Sequence, residues 1–69
     1  ASLKEIVWGL PVYYREIIIL HYYEDFSVKE ITELLKISEN TVRTRLRRAR
    51  ELLKQELTEE VGGLIDGYI

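Results

Sequence analysis

The sequence has 69 residues, of which 46% are hydrophobic and 32% are charged. This composition is that of a globular protein, so it excludes a fibrous repeat or a wholly disordered segment, and a chain of this length forms one small domain. It contains no cysteine and no apolar run longer than four residues, which excludes disulfides, cysteine-based zinc sites and a membrane span within this chain. We expect a cytoplasmic protein. Because the chain begins with Ala1 rather than methionine, we expect it to be part of a longer one.

The charge is unevenly distributed along the chain. The formal net charge is −2, yet residues 43–54 contain six basic residues and one acid, so this stretch carries +5 and the remainder carries −7. Attraction to phosphate acts mainly within a Debye length of ~8–10 Å. The average charge therefore does not exclude a nucleic-acid partner, and the basic segment predicts a local positive face.

The first half of the chain predicts two helices. Apolar residues spaced by three and four predict a short helix over residues 2–8, which Gly9 ends. Pro11 is well placed as the first residue of a second helix, because its missing N–H is not needed there and its φ is already helical. This helix extends to about Tyr23 and is apolar on most of its circumference, as expected for the central helix of a small bundle.

The second half predicts a helix-turn-helix pair. Ser27 and Glu30 have the spacing of a capping box, so a third helix begins there and ends near Leu35. Ser38 caps the longest helix, which runs to about Leu57 with apolar residues at spacings of three and four. Two helices joined by a three-residue turn, the second with a basic face, form the plan in which the second helix enters the DNA major groove.

The expected fold class is all-α: a small four-helix domain over residues 1–57 that ends in a helix-turn-helix without a wing. Residues 58–69 contain three of the four glycines and are expected to be a C-terminal tail that is frayed or that docks on the bundle or a neighbour. The single histidine, His21, has no second histidine or cysteine to join it in a metal site. We therefore expect no catalytic residue, no metal and no cofactor.

The polar face of the last helix is the candidate DNA-binding surface. On a helical wheel with 100° per residue and Val42 at zero, the core face is narrow and a polar arc lies between about 100° and 200°. Side chains on this arc are expected to read base edges, because arginine forks onto guanine, asparagine pairs with adenine and the threonine methyl meets thymine. They are Asn40, Arg43, Thr44 and Arg47. Phosphate contacts are expected from Lys29, Ser38, Thr41, Arg45, Arg48 and Arg50.

Two of these arginines have an alternative partner. Arg45 and Arg50 flank the buried face of the helix, where acids on neighbouring helices compete with phosphates for their guanidinium groups. For all the arginines of the last helix, the alternative is a solvent-exposed surface on which they form ion pairs with nearby acids of the same helix. The acids available nearby are too few to balance the cations, which favours DNA contact.

Three stretches carry a family resemblance. Residues 10–17 read LPVYYREI, residues 26–31 read FSVKEI, and residues 37–50 read ISENTVRTRLRRAR. In combination these motifs resemble region 4, the C-terminal DNA-binding domain, of bacterial sigma factors, especially the extracytoplasmic-function type. The resemblance covers roughly residues 2–57.

This resemblance implies a four-helix, non-enzymatic domain that recognises the promoter −35 element and docks an apolar surface on the β flap of RNA polymerase. The DNA-contacting positions of the family match Arg43, Thr44, Arg47 and Arg48. The sequence departs from the family pattern twice, with Thr32 in place of a small residue and Lys36 in place of the turn glycine. A left-handed Lys36 would cost about 1–2 kcal/mol, so we expect a shifted or strained turn.

Apolar residues near the N-terminus predict a second contact surface. Leu3, Val7 and Trp8 exceed what so small a core can cover, and exposed apolar patches mark protein contacts. The expected partners are a polymerase helix or an anti-sigma factor. The tyrosines and Trp8 are expected to pack in the core and at interfaces rather than to stack on bases, since they lie on helices away from the arginines.

Two other functions stay open from the sequence alone. One is the helix-turn-helix output domain of another transcription regulator, of the response-regulator type. The other is a purely protein-binding helical module whose arginines pair with an acidic partner. Association with the polymerase flap separates the first from a sigma factor, and failure to bind promoter DNA at low salt favours the second.

Overall fold

The structure is a computed structural model that describes the backbone of residues 2–61 and the side chains of residues 2–57. Its elements are α1 (Leu3–Trp8), α2 (Val12–Ile18), a π-helical turn (Ile19–Tyr23) that continues α2, α3 (Val28–Leu35) and α4 (Glu39–Val61). Within this described range there are four helical segments and no strand, which confirms the expected all-α class. None of these helices is long and apolar enough to cross a bilayer.

Capping boxes begin α1 and α3. The Ser27 hydroxyl accepts the Glu30 N–H at 3.0 Å, and the Ser27 N–H donates to a Glu30 carboxylate oxygen at 2.8 Å, as the sequence predicts. The same exchange joins Ser2 and Glu5. Hydrogen bonds from the backbone and side chain of Ser2 lower the pKa of the Glu5 carboxyl below its ordinary value. Local side-chain chemistry therefore defines where both helices begin.

The C-terminal end of α2 differs from the prediction of a regular helix to Tyr23. Residues Ile19–Tyr23 wind as a π-helix, in which the Glu24 N–H donates to the Ile19 carbonyl oxygen at 3.0 Å. Here His21 Nδ1 donates to the Phe26 carbonyl oxygen at 2.8 Å and ties the helix to the following loop. The apolar pattern cannot reveal this wider turn, because apolar residues cover most of the circumference.

The turn between α3 and α4 is strained at the residue where the family has glycine. Lys36 adopts the left-handed conformation, with φ 58° and ψ 45°, and its N–H donates to the Thr32 carbonyl oxygen. The strain that the sequence predicts at Lys36 is therefore present. The other departure also has a cost, since the Thr32 hydroxyl is buried without a hydrogen-bond partner among the described residues.

The core lies around α4, which packs against α1, α2 and α3. Its buried side chains come from all four helices and the α1–α2 turn: Val7, Leu10, Ile17, Ile18, Ile31, Val42, Leu46, Ala49 and Leu53. α4 continues to Val61, four residues beyond the predicted end at Leu57. The rest of the predicted tail, residues 62–69, lies outside the described residues.

Candidate nucleic-acid interface

α4 presents a polar surface on the side opposite its buried stripe. The buried stripe consists of Val42, Leu46, Ala49, Leu53 and Leu57, which confirms the narrow core face predicted by the wheel. The four residues predicted to read bases, here called the recognition face, are Asn40, Arg43, Thr44 and Arg47. Thr44 is half-buried and the other three are exposed. No acid from another helix is paired with this face within the described residues.

Arg43 is the one member of the recognition face in a described ion pair. Its Nη2 lies 2.8 Å from an Oε of Glu39, one turn earlier in α4, and the two side chains are 63% and 58% exposed. An exposed pair of this kind contributes about 0–1 kcal/mol. Arg43 can therefore leave Glu39 to contact a base or a phosphate at little cost in free energy.

Arg47 and Arg48 are exposed and make no hydrogen bond or ion pair within residues 2–57. Their guanidinium groups thus keep all their donors available. Arginine presents five donors in a planar fork that fits both a guanine edge and a phosphate. These two residues are thus exposed cations without a competing partner among residues 2–57.

The predicted phosphate-contacting hydroxyls serve first as a helix cap. The Ser38 Oγ accepts the Thr41 N–H at 3.1 Å and lies 2.8 Å from the Thr41 Oγ1. Ser38 is exposed and Thr41 is half-buried, so Ser38 can still accept a further contact from solvent or a ligand. Lys29 is exposed on the first turn of α3.

Arg45 and Arg50 are held by tyrosines rather than by acids within the described residues. The guanidinium carbon of Arg45 lies 5.5 Å from the centroid of the Tyr13 ring, within cation–π range. Arg50 Nη1 donates to the Tyr22 hydroxyl oxygen at 2.8 Å. These contacts connect both flanks of α4 to α2 and its π-helical extension.

The expectation that the aromatic residues lie away from the arginines of the last helix is therefore wrong for Tyr13 and Tyr22. Trp8 contacts an arginine outside that cluster: Arg15 of α2 lies 5.0 Å from its ring centroid and donates to its carbonyl oxygen at 3.1 Å. The sequence analysis missed Tyr13 and Tyr22, because they lie 32 and 28 residues from their arginines. Only their placement on the second helix, with its nearly complete apolar circumference, indicated that they could face a neighbour.

A concave groove of about 390 Å³ runs between the start of α2 and the first half of α4. Its described lining includes two guanidinium groups, two phenol rings and several small polar side chains, with no carboxylate. We call it the α2–α4 groove, and it is lined by Tyr13, Tyr14, Asn40, Thr41, Thr44, Arg45 and Arg48. Asn40 and Thr44 belong to both the groove and the recognition face, so the two surfaces are continuous.

The predicted apolar contact surface is only partly exposed. Trp8 is 56% exposed and Leu3 is half-buried, but Val7 is 2% exposed and belongs to the core. The expected exposure of Val7 is therefore wrong, because α1 turns this side of its apolar stripe onto the bundle. Val7 instead contributes to a pocket of about 150 Å³, here called the apolar pocket, with Lys4, Trp8, Ile19 and Tyr23.

Comparison with curated proteins identifies two similar Bacillus subtilis proteins. The chain is 45% identical over 59 residues to RNA polymerase sigma factor SigV, covering 86% of this chain and 36% of that protein. It is 38% identical over 58 residues to ECF RNA polymerase sigma factor SigW, covering 84% of this chain and 31% of that protein. The chain thus spans about a third of the length of these relatives.

A third relative and a family profile agree with these matches. The chain is 40% identical over 55 residues to the probable RNA polymerase sigma factor RfaY of Xanthomonas campestris, covering 80% of this chain and 14% of that protein. No solved structure gives a significant match. The profile described as "Sigma-70, region 4" matches residues 2–53. By this match and the identity of its relatives, the chain belongs to the sigma-70 region 4 family.

Proposed function

We propose that this chain recognises the promoter −35 element as region 4 of an extracytoplasmic-function sigma factor that directs RNA polymerase in the cytoplasm. The observation that carries the proposal is the recognition face of α4 in a member of this family: within the described residues its one ion pair is the exposed Arg43–Glu39 pair, and Arg47 has no partner. The match to the sigma family argues against a response-regulator output domain, and the free guanidinium groups argue against arginines saturated by the chain's own acids.

In this proposal α4 enters the major groove with its N-terminal half. Asn40, Arg43, Thr44 and Arg47 read base edges, because their side chains point away from the core stripe and combine forks, an amide and a methyl group. Phosphates on either side are contacted by residues that flank this face and by the exposed ends of the motif: Lys29, Ser38, Thr41, Arg45, Arg48 and Arg50. Arg50 would have to exchange its bond to Tyr22 for such a contact.

Selection of duplexes from a random pool by the 69-residue chain, at two salt concentrations, tests the proposal. We expect enrichment of one short sequence and an affinity that falls steeply with salt. Arg47→Ala should weaken binding by about 1–3 kcal/mol and relax the preference at one base pair. Arg47→Lys is the matched control, because it keeps the charge and removes the fork. Equal binding of wild type and Arg47→Ala to the selected duplex would remove the assignment.

The same proposal includes a protein contact through Trp8 and the apolar pocket, for which the β flap of RNA polymerase is the proposed partner. The support is the exposed indole beside an almost wholly apolar cavity on a face that carries none of the proposed DNA contacts. An anti-sigma factor covering the same pocket would compete with the flap. Association with the flap would also exclude the response-regulator alternative.

A binding assay with isolated flap tests this contact. Trp8→Ala should weaken flap binding several-fold, because a large side chain that fills an apolar contact dominates such interfaces. Leu34→Ala is the matched control, since Leu34 is 53% exposed on α3 and lies outside the pocket. Equal losses in both variants, or none in either, would count against the pocket as the docking site.

A further inference from the structure

The first turn of α2 contributes to the surface around the recognition face, although the helix-turn-helix motif does not include it. Tyr13 is 48% exposed, and its ring lies under the Arg45 guanidinium at 5.5 Å. Tyr14 packs against Tyr13 edge to face, with ring centroids 4.9 Å apart and an angle of 71°, and it also packs on the core cluster. The Tyr13 ring therefore contacts both Tyr14, which packs on the core, and Arg45.

This contact gives Arg45 a partner without using its N–H donors. A guanidinium group over a ring keeps its N–H groups available for hydrogen bonds, which a carboxylate partner would occupy. Arg45 has no acid partner among the described residues, and neither has Arg48, which lies about one turn later on the same wall of the groove. The α2–α4 groove thus contains two cations with free donors and no carboxylate in its described lining.

The groove lies where a DNA strand would pass. Because Asn40 and Thr44 belong to both the recognition face and the groove lining, a helix seated in the major groove brings one strand's backbone alongside the groove. The ligand chemistry that suits two free guanidinium groups in an open polar groove is a phosphodiester.

We propose that Tyr13 is a positioning residue that holds Arg45 over the α2–α4 groove, where Arg45 and Arg48 bind a backbone phosphate flanking the recognised base pairs. This inference rests on the proposed DNA-binding function and extends the interface to α2. A phosphate contact carries no sequence information, so its loss lowers affinity equally on preferred and scrambled duplexes.

The test measures affinity and its salt dependence on both duplexes for Tyr13→Leu, Tyr13→Phe and Arg45→Ala. We expect Tyr13→Leu to weaken binding about two- to fivefold on both duplexes, the range of an exposed cation–π contact. Arg45→Ala should weaken both more and lower the salt slope by about 0.9, the value for one phosphate. Tyr13→Phe keeps the ring and should bind within about twofold of wild type. Val12→Ala, on the same turn and 57% exposed, controls for general effects on α2.

A double variant identifies the route by which Tyr13 acts. If Tyr13 works through Arg45, Tyr13→Leu in the Arg45→Ala background causes no further loss. The proposal is overturned by an undiminished loss in that background, by a loss confined to the preferred duplex, by equal losses in Tyr13→Phe and Tyr13→Leu, or by no loss at all. A wild-type chain that binds DNA without sequence preference would instead contradict the proposed function.

Discussion

α3 and α4 form one helix-turn-helix motif, but the locally unfavourable features of the motif are found in α3 and the turn after it. α4 has a regular buried stripe and a cap in which Ser38 and Thr41 satisfy each other. α3 is eight residues long, contains a buried hydroxyl that has no hydrogen-bond partner within the described part of the chain, and is followed by a left-handed lysine. Because the proposed base contacts come from α4, the comparison indicates that regularity matters most in the reading helix, while the supporting helix can carry strain.

The largest expected effect is the loss of stability when the core contact between α3 and α4 is weakened. Ile31 is α3's fully buried anchor, with 0% exposure, and packs in the core with the α4 stripe. Ile31→Ala should lower the free energy of unfolding by about 2–5 kcal/mol, as much as a core of this size usually supplies. Chemical denaturation checks this, with the exposed Leu34→Ala as a control expected to change stability by less than about 0.5 kcal/mol. A small effect of Ile31→Ala would mean that α4 does not depend on α3.

Relief of the strained turn is the next largest effect. Lys36→Gly removes the Cβ from a residue at φ 58° and should raise the free energy of unfolding by about 1 kcal/mol, because greater freedom of glycine in the unfolded chain offsets part of the gain. In a domain of this size that corresponds to a melting temperature about 4–8 °C higher. Lys36→Ala keeps the strain and should show no such rise. Equal melting temperatures for the two variants would show that the turn is not a source of cost.

Removal of the buried Thr32 hydroxyl in α3 should give a smaller gain in stability. Thr32→Val keeps the shape and removes the buried Oγ1, so we expect the free energy of unfolding to rise by up to about 1 kcal/mol. Thr32→Ser is the control variant, since it keeps the hydroxyl and removes the methyl group. If Thr32→Val is less stable than wild type, the hydroxyl has a hydrogen-bond partner in solution. Thr32 then does not destabilise α3 relative to α4.

The smallest effect concerns the flank of α4. Tyr22→Phe removes the acceptor of the 2.8 Å bond from Arg50, and we expect a loss of about 0.5 kcal/mol in stability because both groups are partly exposed. Arg50→Ala should cost a similar amount, and the double variant no more than either. Thermal melts of the three proteins test this coupling. Additive losses would mean that the two side chains act separately.

Local rules predicted most of the fold from the sequence. The Ser27–Glu30 capping box and the α4 stripe each depend on residues within one or two turns, so their spacing is visible in the chain. The Ser2–Glu5 box was not predicted, and Pro11 is the N-cap of α2 rather than its first helical residue. The strain at Lys36 followed from the same kind of rule. The recognition face followed from one wheel, because a helix has a fixed angular increment per residue.

Features that depend on how helices meet could not be predicted in this way. The burial of Val7 is set by the rotation of α1 against the bundle, and spacing alone does not fix that rotation. The pairing of Tyr13 with Arg45 and of Tyr22 with Arg50 joins residues far apart in the chain, and an apolar pattern does not specify which neighbour a tyrosine meets. The missed part of the site is thus its connection to α2.

The wider turn at the end of α2 has a consequence for how sequences of this kind can change length. A π-helical turn accommodates an extra residue within the existing cylinder, without displacing the elements on either side. Loss of one residue from Ile19–Tyr23 would convert the turn to regular α-helix and leave Pro11 and Ser27 near their present places. We therefore expect a single-residue deletion to be better tolerated in this segment than elsewhere in α2, with the half of the domain proposed to contact DNA keeping its geometry.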